Sequence, residues 1–312
     1  MTEFINAEET TRQEIDVLVS AIRQIDTNME SIEKTCCKID ARDTFVFIKK
    51  LTEHKLDLLT LSPSYKTIAR RGTTFISLTI SDQRILMHQD PKLCLYDRNM
   101  NQGKQNKWID KELWDMCWSH GIEKFIILGV KSIFLLDEHS MSIDHVYTIK
   151  GRKWLSCTCS NQLLYASTNK WGPSIMKFTL SPTMQLIKEW THPVSCTEDE
   201  IIYDMLHKNV DLALLVDFNL DKSLRIELRS VETLDRIWSL DFGITRVQNL
   251  VFHFFSLTHN EWVAVDYQNR RLIQITKDGK IKQTVQYQTI PRHAIVVDMK
   301  KLVVPTDSVI HL

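Results

Sequence analysis

Apolar positions along the chain follow two different periods. In the N-terminal part Ile15, Leu18, Ile22, Ile25, Met29, Ile32, Cys36 and Ile39 recur at alternating spacings of 3 and 4. This is the a/d pattern whose period lets a helix supercoil on a partner, and it predicts an α-helix. Asp43 and Lys50 fall on the next seam positions and interrupt it. A second apolar face through Phe45, Ile48, Leu51, Leu58 and Leu59 leads to Pro63, where a helix should stop. The seam has two readings: a short coiled coil that makes a homodimer, or an amphipathic helix laid on its own domain. The second is open because Val19, Ala21, Asn28 and Thr35 beside the seam supply few of the charges that fix partner choice.

From residue 64 onward the pattern changes to short runs of Ile, Val, Leu, Phe and Thr separated by turn residues, which predicts β-strands. One strand type recurs as LCLYD from Leu93, IFLLD from Ile133, SIMKF from Ser174, LRIEL from Leu224, RLIQI from Arg271 and SVIHL from Ser308, at a mean spacing of about 43 residues. Ahead of it lies a still more apolar run, such as KFIILG from Lys124, DLALLVD from Asp211 and EWVAVD from Glu261. Continuous apolarity means burial on both faces. A period of about 40–45 residues with four strands each is the mark of a propeller. The expected fold is therefore mainly β, a six-bladed β-propeller over residues 63–312 with an N-terminal α-helical segment over 1–62. The last repeat stops after three strands, and the run Tyr65 to Arg70 has no earlier blade to join. If it supplies the missing outer strand, the ring closes and no sheet edge is left free.

In the fifth repeat, WVAVDYQNRRLIQITKDGKIKQTV (Trp262 to Val285) resembles the NHL repeat: an apolar strand ending in Asp, an Asn-x-Arg turn, a second strand, an Asp-Gly turn and a third. Asp278-Gly279 suits a tight hairpin, and Asp266 and Asn269 can hydrogen-bond the backbone of the connecting turn. The other repeats match in apolar pattern alone, and glycine is scarce, 8 in 312 residues. A helical seam followed by such a propeller is similar to the C-terminal half of tripartite-motif proteins of the NHL type. Their zinc-binding RING and B-box modules have no counterpart here, since no Cys-x-x-Cys pair occurs. The recurring Gly-His and Trp-Asp pattern of WD repeats is also absent.

Composition adds limits. Lys plus Arg and Asp plus Glu number 39 each, but a division at residue 62 leaves the N-terminal part near −4 and the remainder near +4. No apolar run approaches the ~18–20 residues of a membrane span, and the acidic start MTEFINAEETTRQEID lacks the features of a signal peptide. Seven cysteines and no Asn-x-Ser/Thr acceptor favour reduced thiols. A cytoplasmic protein without membrane association is expected.

Chemistry is sparse. Cys157-Thr158-Cys159 puts two thiols on one strand face without a second pair at metal-site spacing, so they read as packed core. His120, His192 and His293 read as solvated residues on one rim. No phosphate loop, nucleophile elbow or zinc helix occurs, and no metal or cofactor is expected. Calcium-dependent propeller hydrolases converge carboxylates on the channel. Here Asp97, Asp137, Asp217, Asp266 and Asp298 end apolar strands and read as turn caps, so an enzyme is the lesser alternative.

The functional lead is charge. Loops from each outer strand to the next inner strand share a face with loops joining second and third strands. Arg70, Arg71, Arg152, Lys153 and Arg292 map to the first class, and Lys170, Arg270 and Arg271 to the second, with Trp154, Trp171 and Tyr267 among them. Basic groups interleaved with aromatics are what phosphate contact and base stacking require, so single-stranded RNA is one candidate. The acidic loop Glu198-Asp199-Glu200, with Asp110 and Glu112, lies on the same face. A protein partner tolerates such a mixture better, and the sequence reads first as a non-catalytic protein-interaction scaffold.

Overall fold

The second strands explain the architecture. KFIILG (Lys124–Gly129), DLALLVDF (Asp211–Phe218) and WVAVD (Trp262–Asp266) are buried over nearly their whole length. A strand buried on both faces must lie between two other layers. A computed structural model describes residues 56, 58, 66–69, 77–245, 252–257, 261–297, 301–306 and 309–312. Among them stand six four-stranded antiparallel sheets, so the chain is a six-bladed β-propeller. The first strands of blades 1 to 6 are Leu78–Ile80, Leu113–Ser119, Trp154–Ser160, Glu200–Lys208, His253–Ser256 and Ile295–Val297. The outer strands of blades 1 to 5 are Gln102–Lys107, Ile143–Thr148, Gln185–Trp190, Arg236–Thr245 and Ile281–Gln286. Polarity rises outward as burial falls: QGKQNK, the outer strand of blade 1, is exposed throughout.

Among the described residues, six apolar clusters fill the interfaces between blades. Leu86, Leu95, Phe125 and Ile127 join blades 1 and 2, and Ile126, Leu128, Leu164 and Phe178 join blades 2 and 3. Ile85, Met87, Val297 and Val303 join blade 1 to blade 6. Each such side chain contributes ~1.5–3 kcal/mol by leaving water, so stability resides between the sheets as much as within them.

Ring closure is as the strand count requires. Thr67–Ala69 is the outer strand of blade 6, and Thr67, Ile68 and Ala69 pair with His311, Ile310 and Val309. The Leu312 amide then donates to the carbonyl of Lys66 at 3.0 Å.

The helix expected over 1–62, including the seam Ile15 to Ile39, lies outside the described residues except at Leu56 and Leu58. Those two are buried among Phe255, Val263 and Val304 between blades 5 and 6. The described residues contain no α-helix, hence no helix long and apolar enough to cross a membrane.

Candidate functional site

Strand direction alternates within each blade, so the blade-linking loops and the second-to-third turns emerge together on one end of the propeller, here the linking face. The first strands begin at that end.

Several of the charges mapped to this face are already partnered. Arg152 pairs with Glu189 and donates to Ser174 Oγ at 3.1 Å, and the guanidinium holds the Glu189 carboxyl below the usual range. Arg271 Nε donates to Asp266 Oδ2 at 2.6 Å. Arg292 lies over the ring of Tyr267, 5.3 Å from its centroid, and that ring is buried. Trp154 is fully buried, its indole N–H donating to the carbonyl of Lys131 at 3.1 Å. Lys153, Lys170, Trp171 and Arg270 are exposed. Arg70 and Arg71 lie outside the described residues.

The acidic loop also divides. Glu198 is exposed, but Glu200 is buried beside Arg225, which also reaches Glu227 at 2.7 Å. Arg229 and Arg236 meet the same Glu227, at 2.5 and 2.7 Å. Glu200 is thus part of an internal charge network of blade 4.

Two histidine expectations need correction. His120 lies in the hairpin between the first and second strands of blade 2, on the end opposite His192 and His293. His293 is buried, and burial with the nearby His253 holds its pKa well below the ordinary value. Asp97, Asp137 and Asp266 do cap turns, accepting the amides of Asn99, His139 and Asn269 at 2.9 to 3.1 Å. Asp298 lies outside the described residues.

What the sequence reading missed is a polar arc inside the channel. Asp115 Oδ2 accepts the Cys157 amide at 2.8 Å, Ser156 Oγ accepts the Met205 amide at 3.0 Å, and Asp204 Oδ2 accepts the Phe254 amide at 3.0 Å. Each side chain therefore bridges to the first strand of the next blade. Ser156 Oγ also stands 2.9 Å from Asp115 Oδ2 and 3.2 Å from Asp204 Oδ1. His253 Nδ1 closes the arc, 3.2 Å from Asp204 Oδ2. Burial, together with the charge of Asp204, raises Asp115 to about 7. A neutral Asp115 can donate to Ser156, which donates in turn to Asp204, so one proton reconciles two carboxyls with one hydroxyl. Asp115, Asp204 and His293 line a cavity of about 240 Å³ whose other walls include Leu78, Met116 and Phe254. Among the described residues no group of three or more His, Cys, Asp or Glu is placed to hold a metal ion.

The linking face also carries exposed apolar side chains. Ile109, Trp171, Val194 and Leu220 are 62%, 39%, 52% and 73% exposed. Ile109 and Val194 are in the loops leading into blades 2 and 4, and Trp171 and Leu220 are in the second-to-third turns of blades 3 and 4.

No protein-family model matches the sequence, and no curated protein matches it. Solved structures do. A streptogramin B lyase structure shares 12% identity at a TM-score of 0.54, covering 78% of this chain and 96% of its own. A chain of a mitotic checkpoint complex shares 11% identity at a TM-score of 0.57, covering 82% and 92%. At such identities the likeness is one of fold.

Proposed function

We propose that this chain is an interaction protein that binds a partner protein through the linking face of its propeller, over blades 2 to 4. The observation that carries this reading is the set of exposed apolar side chains on that face, Trp171, Val194 and Leu220 on three consecutive loops of blades 3 and 4 and Ile109 on the loop leading into blade 2. Binding energy at protein interfaces concentrates in a few apolar and aromatic anchors surrounded by polar groups that exclude water. Trp171 supplies the anchor, and exposed Lys153, Lys170, Glu112 and Glu198 supply a rim of both signs. Such a rim suits a folded protein surface better than a uniformly anionic strand. Arg152 and Arg271 lean the same way, because their charges are already engaged by Glu189 and Asp266.

The reading extends to an NHL-type propeller related to the C-terminal half of tripartite-motif proteins, acting in the cytoplasm. It also includes self-association through the seam of Ile15, Leu18, Ile22, Ile25, Met29, Ile32, Cys36 and Ile39. Quantitative affinity purification of the intact chain tests the binding face, with Trp171→Asp and Leu220→Asp as comparisons. Partners that survive nuclease but are lost from both folded variants support it. Recovery abolished by nuclease transfers the face to RNA, and partners unaffected by both substitutions exclude it. Light scattering at about 100 μM tests the seam, since a monomer at that concentration removes self-association from the reading.

A further inference from the structure

Three of the five described cysteines converge on one point between blades 2 and 3. Cys117 comes from the first strand of blade 2, and Cys157 and Cys159 from the first strand of blade 3. Cys117 Sγ stands 3.2 Å from Cys159 Sγ and 3.6 Å from Cys157 Sγ. Cys94 and Cys196, also free, belong to other blade interfaces. A disulfide needs ~2.05 Å between sulfurs, so Cys117 and Cys159 are about an ångström from bonding distance. Cys117 and Cys157 line the channel cavity, which offers a small oxidant a path to otherwise buried sulfur.

We propose that Cys117, Cys157 and Cys159 form a peroxide-modifiable thiol centre in which Cys117 is oxidised first and Cys159 then closes a disulfide joining blades 2 and 3. The Cys117 sulfur attacks one oxygen of hydrogen peroxide, and the O–O bond breaks. The departing hydroxide takes up the thiol proton as water and leaves a sulfenic acid. The Cys159 sulfur then attacks Cys117 Sγ, the S–O bond breaks, and a second water leaves with the Cys159 proton. Two thiols lose two electrons in all, and one peroxide becomes two waters. Cys157, within reach of the same sulfur, can exchange with Cys159 without further oxidation.

The order follows from the surroundings of each sulfur. Burial opposes the thiolate at all three, and nothing offsets it at Cys157 or Cys159. At Cys117, S–H groups from both neighbours face the sulfur and bring it down to about 6. The thiolate is the form that attacks peroxide.

Peptide mapping of the intact chain after hydrogen peroxide treatment and quenching with N-ethylmaleimide tests the proposal. The expected product is a pair of peptides, one holding Cys117 and the other Cys157 and Cys159, linked and two hydrogens lighter than their sum apart from one N-ethylmaleimide on the remaining thiol. Dithiothreitol should release them, and the oxidised protein should melt at a higher temperature than the reduced one. Cys159→Ser should move the link to Cys157, and Cys117→Ser should abolish it. Cross-links confined to Cys36, Cys37, Cys94 or Cys196 would overturn the proposal. So would a Cys117 that stays open to alkylation after oxidation or proceeds to sulfinic acid unlinked. Should Cys117→Ser fail to fold, the wild-type mapping alone decides the matter.

Discussion

Asp204 Oδ2 accepts the backbone amide of Phe254 at 3.0 Å, across the gap between blades 4 and 5 and 50 residues along the chain. Its other oxygen accepts the Met205 amide at 2.8 Å, so one carboxylate holds backbone of two first strands, its own and that of blade 5. Asp204→Ala leaves a buried amide and His253 without that acceptor, a loss of about 2–3 kcal/mol. Urea unfolding should show the midpoint falling with the slope unchanged.

Asp115 makes stability depend on pH in the sense opposite to most carboxyls. Its folded pKa is raised to about 7, above the ~3.9 of an unfolded chain, so between these values the folded state holds the extra proton. Its contribution is therefore full below pH ~4 and is lost as pH rises towards 7, by at most about 1.4 kcal/mol per pH unit. His293 acts in reverse, since its lowered pKa favours the folded state above pH ~6.5 and less so below. That effect is common to wild type and Asp115→Asn and drops out of their difference. The stability of wild type relative to Asp115→Asn should fall between pH 5 and 7.5. A flat difference by chemical denaturation would contradict the assignment.

Gly279 turns at φ +75° beneath Trp238 of blade 4, and a Cβ added there would lie 2.6 Å from the indole. Gly279→Ala should cost more than the ~1–2 kcal/mol of the backbone conformation alone. A cycle with Trp238→Leu separates the parts: the steric share should disappear and the conformational share persist.

Deleting Val309–Leu312 removes the partner of Thr67–Ala69 and leaves blade 6 with two strands. Because the clusters run between blades, the loss should spread around the ring. Circular dichroism should show no cooperative β melting transition, and limited proteolysis should cut throughout the propeller instead of at one blade.

The blades were legible because burial on both faces writes an unbroken apolar run, as in Lys124–Gly129, Asp211–Phe218 and Trp262–Asp266, and because the strand after each such run recurs about every 43 residues. Closure was legible for a related reason: Thr67–Ala69 was a strand without a blade. The ion pairs were not legible, since Arg152 finds Glu189 on an outer strand 37 residues away and no local pattern marks that meeting. The polar arc did leave a signal. Trp114-Asp115-Met116 and Tyr203-Asp204-Met205 set a carboxylate at one place in two apolar strands, about two repeats apart. Cys117 likewise precedes Cys157 by 40 residues, close to one repeat. Aligning the first strands by repeat phase brings both groupings into view, whereas neighbours in sequence show neither.

Thr67–Ala69 and Val309–His311 are neighbours in the sheet, yet about 240 residues of chain are made between them. At ~5–20 residues per second, a ribosome needs roughly 12–48 s to cover that distance. For that time the early strand has blades forming downstream of it but no sheet of its own, and its backbone groups can be answered only by water, a chaperone or a second nascent chain. Neighbouring ribosomes on one message supply such chains at close range. An exchange of the closing strand between two rings is therefore the error this topology invites during synthesis, and holding the early segment apart until its partner emerges is the corresponding task for the cell.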